Sequence, residues 1–358
     1  MELSVLYVVG DLGNGGQERQ MYYLSTALHR MGYKVTVVAW NYNKDAKYTA
    51  LLEKEGVELI QYKEGGSIQK IARTRKLIRE RKFDIVHSFT FYLNFYVFLC
   101  TLFTKAVGIG GIRNRLKMYK KSTHPLLFIL SSFFPRYFVS NNYKYNEDYR
   151  LGPFWRKVFV ISNALDISKF RYSESSENGT LQTVSMSRLY PEKRIDLLID
   201  VIAELLKKGY KVKHRHAGKG PLHESLVEKV NNLGLAENFT FIGETNEVNE
   251  FISSANIFIL TSYHEGCPNV VMEAMASGRA VLTTDCGDVS YLVNNNENGI
   301  IVPVNDLDAL VNGMERLIND TTLTATLGKN ARAAAEENFS LEKYVANNIA
   351  LYNKILKN

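Results

Sequence analysis

The run TSYHEGCPNVVMEAMASG, Thr261 to Gly278, follows the apolar stretch NIFIL and closes on small residues. It reads as a strand that ends, a loop that turns, and a helix that begins near Pro268 or Asn269. Glu265 falls in the loop and Glu273 one turn inside the helix, a spacing that lets both carboxylates face one mouth. Pro268 suits a first helical turn, where its missing N–H costs nothing. The unpaired N–H groups of a helix start, together with the positive end of its dipole, favour an anion such as a diphosphate.

Upstream, SRLYPEKRIDLLI carries Arg188, Lys193, Arg194 and Asp196 on a loop between a strand and a helix. An arginine fork and a lysine point charge at such a loop can converge on one anion, whereas Arg194 reads as solvated surface. Further outward, short apolar runs alternate with amphipathic stretches: SVLYVVG, QERQMYYLSTALHRMG, KVTVVAW, DIVHSF and RYFVSNN, then LQTVSMS, DLLIDVIAELLKKG, KVKHRHAG, NFTFIG, NIFIL, AVLTTD and GIIVPV. Strand and helix in repeated alternation predict parallel sheets covered by helices, here two Rossmann-like, doubly wound units. The polar stretch YSESSENGT, Tyr172 to Thr180, is the best linker. The expected domains are residues 1–170, 171–340, and a final helix 341–358 docking back toward the first. Ligands of open α/β sheets sit at the carboxyl ends of strands, so a cleft between two such units is where chemistry is sought.

With 358 residues, 46% apolar and 23% charged, the chain is globular and long enough for two domains. The net charge of +7 gathers at Lys63 to Lys82 and at Arg113 to Lys121. Those runs lack an interleaved aromatic platform, which argues against nucleic acid. Cys100, Cys267 and Cys286 are scattered and odd in number, and read as reduced thiols of a cytoplasmic protein. The start, MELSVLYVVGDLGNGG, has no secretory-signal pattern. The apolar segment Phe91 to Gly111 contains Asn94 and Lys105 and is shorter in its clean part than the ~20 residues a membrane span needs. Asp306 and Asp308, the one Asp-x-Asp, fall at a helix start and read as caps, so no metal site is expected.

The Glu265–Gly278 run resembles the E-x7-E signature of retaining GT-B enzymes of glycosyltransferase family 4, E-G-x-P-x-x-x-x-E-A-M-A-x-G, matching at Glu265, Gly266, Pro268, Glu273, Ala274, Met275, Ala276 and Gly278. The Arg188–Ile199 run is similar to the same family's G-R-L…K-R-x-D-x-L-I, with Ser187 in place of the glycine. AGKGP resembles its G-x-G-P. The resemblance covers the second half almost completely and the first half more thinly. It implies a GT-B fold and metal-independent transfer of a sugar from a nucleotide diphosphate sugar, UDP-linked by default, with retained configuration and no cofactor. Implied catalytic residues are Glu265, Arg188 and Lys193. Implied donor ligands are Glu273 on the ribose, Gly266, Cys267, Pro268, Asn269 and Val270 around the diphosphate, Ile242 and Gly243 by the base, and Gly16 of the turn DLGNGGQER.

Many relatives carry a histidine after the strand matching AVGIGGIRN, where this chain has Arg113 and Asn114. These two, with His87, are the expected sugar or acceptor contacts, although a strand-end histidine also suits a core. The acceptor is expected to be a glycan or lipid-linked molecule of polysaccharide assembly, with RNRLKMYKK giving peripheral contact with an anionic membrane at its inner face. Two rivals stay open: a sugar-nucleotide epimerase of the same fold, and a non-catalytic partner subunit that binds the nucleotide sugar.

Overall fold

The computed structural model describes residues 3–113, 116–144, 157–171 and 181–357. The expected linker, Tyr172 to Thr180, and the expected contact residue Asn114 lie outside the described residues. The chain forms two compact units, Met1–Ala164 with Leu341–Asn358, and Leu165–Ser340. The division therefore falls before Leu165 rather than after residue 170. Leu165 belongs to the second unit because its N–H bonds the Phe339 carbonyl at 2.8 Å, and Ile167 and Phe170 pack on that unit's core.

The first unit holds β1 (Ser4–Val9), β2 (Lys34–Ala39), β3 (Glu58–Gln61), β4 (Ile85–Ser88), β5 (Val107–Ile112), β6 (Tyr137–Ser140) and β7 (Lys157–Val160). They form one parallel sheet in the order β3-β2-β1-β4-β5-β6-β7. β1 is apolar along nearly its whole length because both its faces are covered. Val5, Tyr7 and Val9 pack with Met21, Leu24 and Leu28 of the helix Gly16–Arg30. Leu6 and Val8 pack on the other side with Ile78, Phe83 and Val97. Tyr344, Val345, Leu351, Tyr352 and Ile355 of the helix Leu341–Leu356 complete the first of these cores.

The second unit holds β8 (Leu181–Met186), β9 (Val212–Ala217), β10 (Phe239–Gly243), β11 (Ile257–Leu260), β12 (Ala280–Thr284) and β13 (Ile300–Val302), parallel in the order β10-β9-β8-β11-β12-β13. The helix Ile195–Lys207 presents Ile195, Leu198, Ile199, Ile202 and Leu205 to one face, a 3.6-residue stripe with its acidic and basic residues left outside. Truncating a side chain as buried as Leu198, which is 0% exposed, costs about 2–5 kcal/mol. Asp306 caps the helix Leu307–Asn319 by accepting the Ala309 N–H at 2.9 Å, as its place in the sequence suggests. No helix among the described residues is long and apolar enough to cross a membrane. The segment Phe91 to Gly111 becomes one 3-10 turn, Phe91–Leu93, and one short α-helix, Asn94–Thr101, followed by β5.

Candidate active site

In the second sheet the strand order reverses between β8 and β11: the chain runs outward from β8 through β9 to β10, then returns to lay β11 on β8's other side. The loops leaving the carboxyl ends of these two strands lie at a reversal of strand order, which is where open α/β sheets bind ligands. Residues 187–194 leave β8 and residues 261–268 leave β11. The two loops are stitched together. The Tyr263 N–H donates to the Glu192 carbonyl at 3.0 Å, and the Thr261 hydroxyl reaches the carbonyls of Lys193 and Arg194 at 3.0 and 3.1 Å.

Across this stitching lies an ion pair. Lys193 Nζ donates to Glu265 Oε1 at 2.6 Å, and Ser262 Oγ donates to the same oxygen at 2.7 Å. The two side chains are 14% and 12% exposed. At that depth water screens the pair far less than it would a surface salt bridge, so the two charges hold each other in place. The loop after β12 backs the arrangement: the Asp288 N–H bonds the Gly266 carbonyl at 2.9 Å, and the Thr284 hydroxyl bonds the Ser262 carbonyl at 2.5 Å. Burial, reinforced by the nearby Glu265 charge, pushes the Cys286 thiol up to about 12, so it stays protonated and inert at neutral pH. Ser262 and Thr261 were not singled out from the sequence. Their signal is position alone, directly before a loop carboxylate.

The other expected residues take varied positions. Arg188 is exposed, its guanidinium carbon 5.0 Å from the centre of the Tyr190 ring. The helix after the Glu265 loop runs Asn269–Ala276, with Pro268 as its N-cap rather than in its first turn. Gly266, Cys267, Asn269 and Val270 are half-buried around that start, while Pro268 is buried. Glu273 is 4% exposed, in a helix whose residues Val271 to Ala276 are all buried. Ile242, 39% exposed, and Gly243 end β10, the edge strand two places from β8. The Gly243 carbonyl accepts the Gly218 N–H at 2.7 Å, which joins that edge to the AGKGP loop. Among the described residues no three His, Cys, Asp or Glu side chains gather in a metal-binding cluster.

In the first unit the order reverses between β1 and β4. There the Gly10 N–H and the Gln17 amide both donate to Thr90 Oγ1, at 2.9 and 3.1 Å. Gly16 opens the helix Gly16–Arg30, with Gly15 as N-cap. The Glu18 carboxylate, 7% exposed, folds back over this turn and accepts a bond from Gln17 at 2.7 Å. Burial raises its carboxyl above the ordinary range.

His87 and Arg113 do not take the contact role expected of them. His87 is 0% exposed, its Nδ1 lies 2.8 Å from the Tyr352 hydroxyl, and its ring packs against Phe89 at 4.9 Å. Burial, then the Arg113 charge, hold its pKa well below the usual value, so it is a neutral core histidine. Arg113 is half-buried, and its guanidinium lies 4.5 Å from the centre of the Phe89 ring with its nitrogens shielded, so the charged end is turned inward rather than presented to a sugar.

Comparison with known proteins accords with this geometry. The sequence pattern of the family described as "Glycosyl transferases group 1" matches residues 166–334, and that of "Glycosyltransferase Family 4" matches residues 14–169. An uncharacterized glycosyltransferase of Haemophilus influenzae is 32% identical over 199 residues, 53% of this chain and 55% of that protein. The capsular polysaccharide biosynthesis glycosyltransferase CapM of Staphylococcus aureus is 28% identical over 242 residues, 65% of this chain and 62% of CapM. The chain thus spans about half to three-fifths of the length of these curated relatives. Among solved structures, Anabaena HepE in complex with UDP superposes with a TM-score of 0.84 at 18% identity, covering 98% of this chain and 100% of that one. A mutant of Staphylococcus aureus TarM, in complex with Fondaparinux, alpha-GlcNAc-glycerol and UDP, reaches 0.74 at 14% identity over 98% of this chain and 100% of its own. At those identities the superpositions establish the fold, and the two sequence patterns, which together run from residue 14 to 334, establish kinship: the chain belongs to the GT-B glycosyltransferases of the family 4 type.

Proposed function

We propose that this chain transfers a hexosyl group from a nucleotide diphosphate sugar, UDP-linked, to a glycan or lipid-linked acceptor, with retention of configuration and without a metal ion or cofactor. The observation that carries this reading is the shielded Lys193–Glu265 pair at the β8/β11 reversal. Both of its hydrogen bonds fall on Oε1, which leaves Glu265 Oε2 for sugar hydroxyls, while Lys193 has two further N–H donors for phosphate oxygens. Lys193, Arg188 and the start of the helix Asn269–Ala276 then meet the charge that grows on the departing diphosphate. The bond from the anomeric carbon to phosphate oxygen breaks, the acceptor oxygen bonds that carbon on the same face, and its proton passes to the leaving phosphate. Support for UDP comes from the bound nucleotide in HepE and TarM.

The acceptor side draws on the first unit's helices. Residues 63–146 contain sixteen Lys and Arg against three acids, in a chain whose net charge is only +7. Arg73, Lys76, Arg79 and Arg81 are exposed on the helix Ser67–Arg81, and Lys120 and Lys121 on the helix Leu116–Ser122. The apolar helices Asn94–Thr101 and Pro125–Phe133 pack together between them, with Leu126 60% and Ile129 51% exposed. An apolar ridge flanked by cations matches an anionic bilayer surface, where a lipid-linked acceptor resides.

The nucleotide question is tested by titrating UDP-, GDP- and ADP-sugars against thermal melting, since a ligand bound to the folded state stabilises it by mass action. A UDP-sugar should give the largest shift, followed by product analysis with an acceptor glycan. Conversion of the donor sugar without an acceptor would make the chain an epimerase, and no shift with any sugar would end the reading. Membrane docking is tested by co-sedimentation: vesicles with phosphatidylglycerol should bind the chain in a salt-sensitive way, and Leu126→Glu with Ile129→Glu should abolish it. Equal binding to neutral vesicles, or none, would overturn docking, and binding to polyphosphate instead would make the face a polyanion site.

A further inference from the structure

β8 and β9 run in parallel register with Thr183 opposite His214 and Ser185 opposite His216. These four side chains form an unbroken hydrogen-bonded ladder inside the second unit. Thr183 Oγ1 lies 2.8 Å from His214 Nδ1, and Ser185 Oγ lies 2.9 Å from His214 Nε2 and 2.7 Å from His216 Nδ1. His216 Nε2 ends the ladder 3.0 Å from the Ser187 carbonyl. The histidines are 1% and 0% exposed, and the Phe239 ring packs at a tilt against His214, 4.7 Å between centres.

The last contact fixes every proton in the chain. A carbonyl only accepts, so His216 must carry its proton on Nε2, and a neutral ring then accepts at Nδ1. Ser185 therefore donates to His216, and so must accept from His214 Nε2. Thr183 in turn donates to His214 Nδ1. All four donors point the same way, toward residue 187. An extra proton on His216 Nδ1 would set two donors against each other at the Ser185 hydroxyl, whereas Thr183 can turn its hydroxyl to the Lys213 carbonyl, 3.3 Å away. Burial already holds both rings neutral, lowering His216 to about 4 and His214 well below its usual value.

The receiving carbonyl is also clamped from outside. The Ser187 N–H bonds the Ala217 carbonyl at 3.0 Å and the Leu189 N–H bonds the Lys219 carbonyl at 2.9 Å. Gly218, at φ +145, passes so close that a Cβ there would lie 1.8 Å from Ser187 O. Between these anchors sits Arg188, the exposed cation of the loop.

We propose that His216, polarised through Ser185 and His214, is a positioning residue that fixes the Ser187–Arg188 peptide and thereby aims the Arg188 guanidinium at the diphosphate. This rests on the reading of Arg188 as a diphosphate ligand, and the experiment separates the two. The nucleoside diphosphate among UDP, GDP and ADP that binds tightest is the probe, measured by calorimetry. His216→Phe, which keeps the volume but removes the donor, should weaken binding about tenfold, the scale of a displaced positioning group. His216→Gln, whose amide can still donate to the carbonyl, should recover most of that loss, while His216→Asn, too short to reach, should not. In an Arg188→Ala background His216→Phe should have no further effect.

A loss of the same size in both backgrounds would show a general packing role and overturn the proposal. If Arg188→Ala binds normally, or no diphosphate binds, the reading of Arg188 fails and takes the proposal with it. Should His216→Phe not fold, Ser185→Ala serves, since it removes the donor to His216 Nδ1 while sparing the ring; unchanged affinity there would count against the ladder. Nitrogen-15 spectra of labelled histidine should show both rings neutral and protonated at Nε2, and any other tautomer at His216 contradicts the assigned polarity.

Discussion

The two sheets share one architecture, yet their reversal points are chemically opposite. At β8/β11 the loops bring a lysine and a glutamate into a shielded pair, and the loop that carries the lysine also carries an exposed arginine. At β1/β4 the equivalent loops are closed by Thr90, Gln17 and the Glu18 carboxylate, which covers the helix start with the chain's own negative charge. Topology brings loops together at both places, and the side chains set there differ in kind: a lysine paired with a glutamate at one, a buried carboxylate over a helix start at the other. Fold places a site, but residues make it.

The strongest way to break that contrast is to remove the pair. Lys193→Ala should lower the turnover of a nucleotide sugar by about 10²–10³, the range seen when one preorganised charge-stabilising donor is lost. Glu265→Gln, which keeps shape but not charge, should also fall steeply, whereas Glu18→Gln should leave turnover within a few-fold. Steady-state rates on one donor decide it; equal losses at Glu18 and Lys193 would erase the difference between the two points.

The second test compares two glycines. At Gly218 a methyl group would meet the Ser187 backbone carbonyl at 1.8 Å in a left-handed conformation, so Gly218→Ala should cost about 3 kcal/mol in urea unfolding. At Gly15 the nearest obstacle, at 2.2 Å, is the Glu18 carboxylate oxygen, the far end of a flexible side chain. Gly15→Ala should therefore cost under about 1 kcal/mol, with Glu18 swinging aside. Similar costs at both positions would mean that the first turn is as rigid as the second.

A smaller effect probes the arginine. Arg188→Lys retains charge but loses the planar fork, so affinity for a nucleoside diphosphate should drop about tenfold or less, read by calorimetry. No change would mean that Arg188 acts only as a distant charge.

Much of this was legible in the sequence, for identifiable reasons. Strands buried on both faces read as unbroken apolar runs, and the two α/β units followed from their alternation with amphipathic stretches. Lys193 and Glu265 stood out by position, each on a loop after a strand. Their direct contact did not, because a separation of seventy-odd residues carries no distance until strand order is known. The ladder of His214 and His216 was visible as His-x-His, but only the parallel register sets it against Thr-x-Ser of another strand. Arg113 misled for a similar reason: a strand-end arginine suggests an open contact, yet the side chain turned inward over Phe89. Glu18 escaped notice because a glutamate in the first helical turn is ordinary.

Glu18 also supplies the most delicate test. Its carboxyl is raised above the ordinary range, chiefly by burial and also by the Asp11 charge, while hydrogen bonds from its own N–H, from Gln17 and from Gly15 pull the other way. A carboxyl that holds its proton more tightly when folded favours the fold in acid, below its unfolded pKa, and that contribution is lost as pH rises through the folded pKa. At neutral pH the ionised side chain is therefore a cost. Glu18→Gln, which cannot ionise, should be at least as stable as the parent at pH 7, and its advantage should shrink as the pH falls into the carboxylate range. Urea unfolding over that range measures it. Were the variant less stable at pH 7, the carboxylate would be a favourable cap on the helix start, and the first reversal point would be kept closed by attraction rather than held shut at a cost.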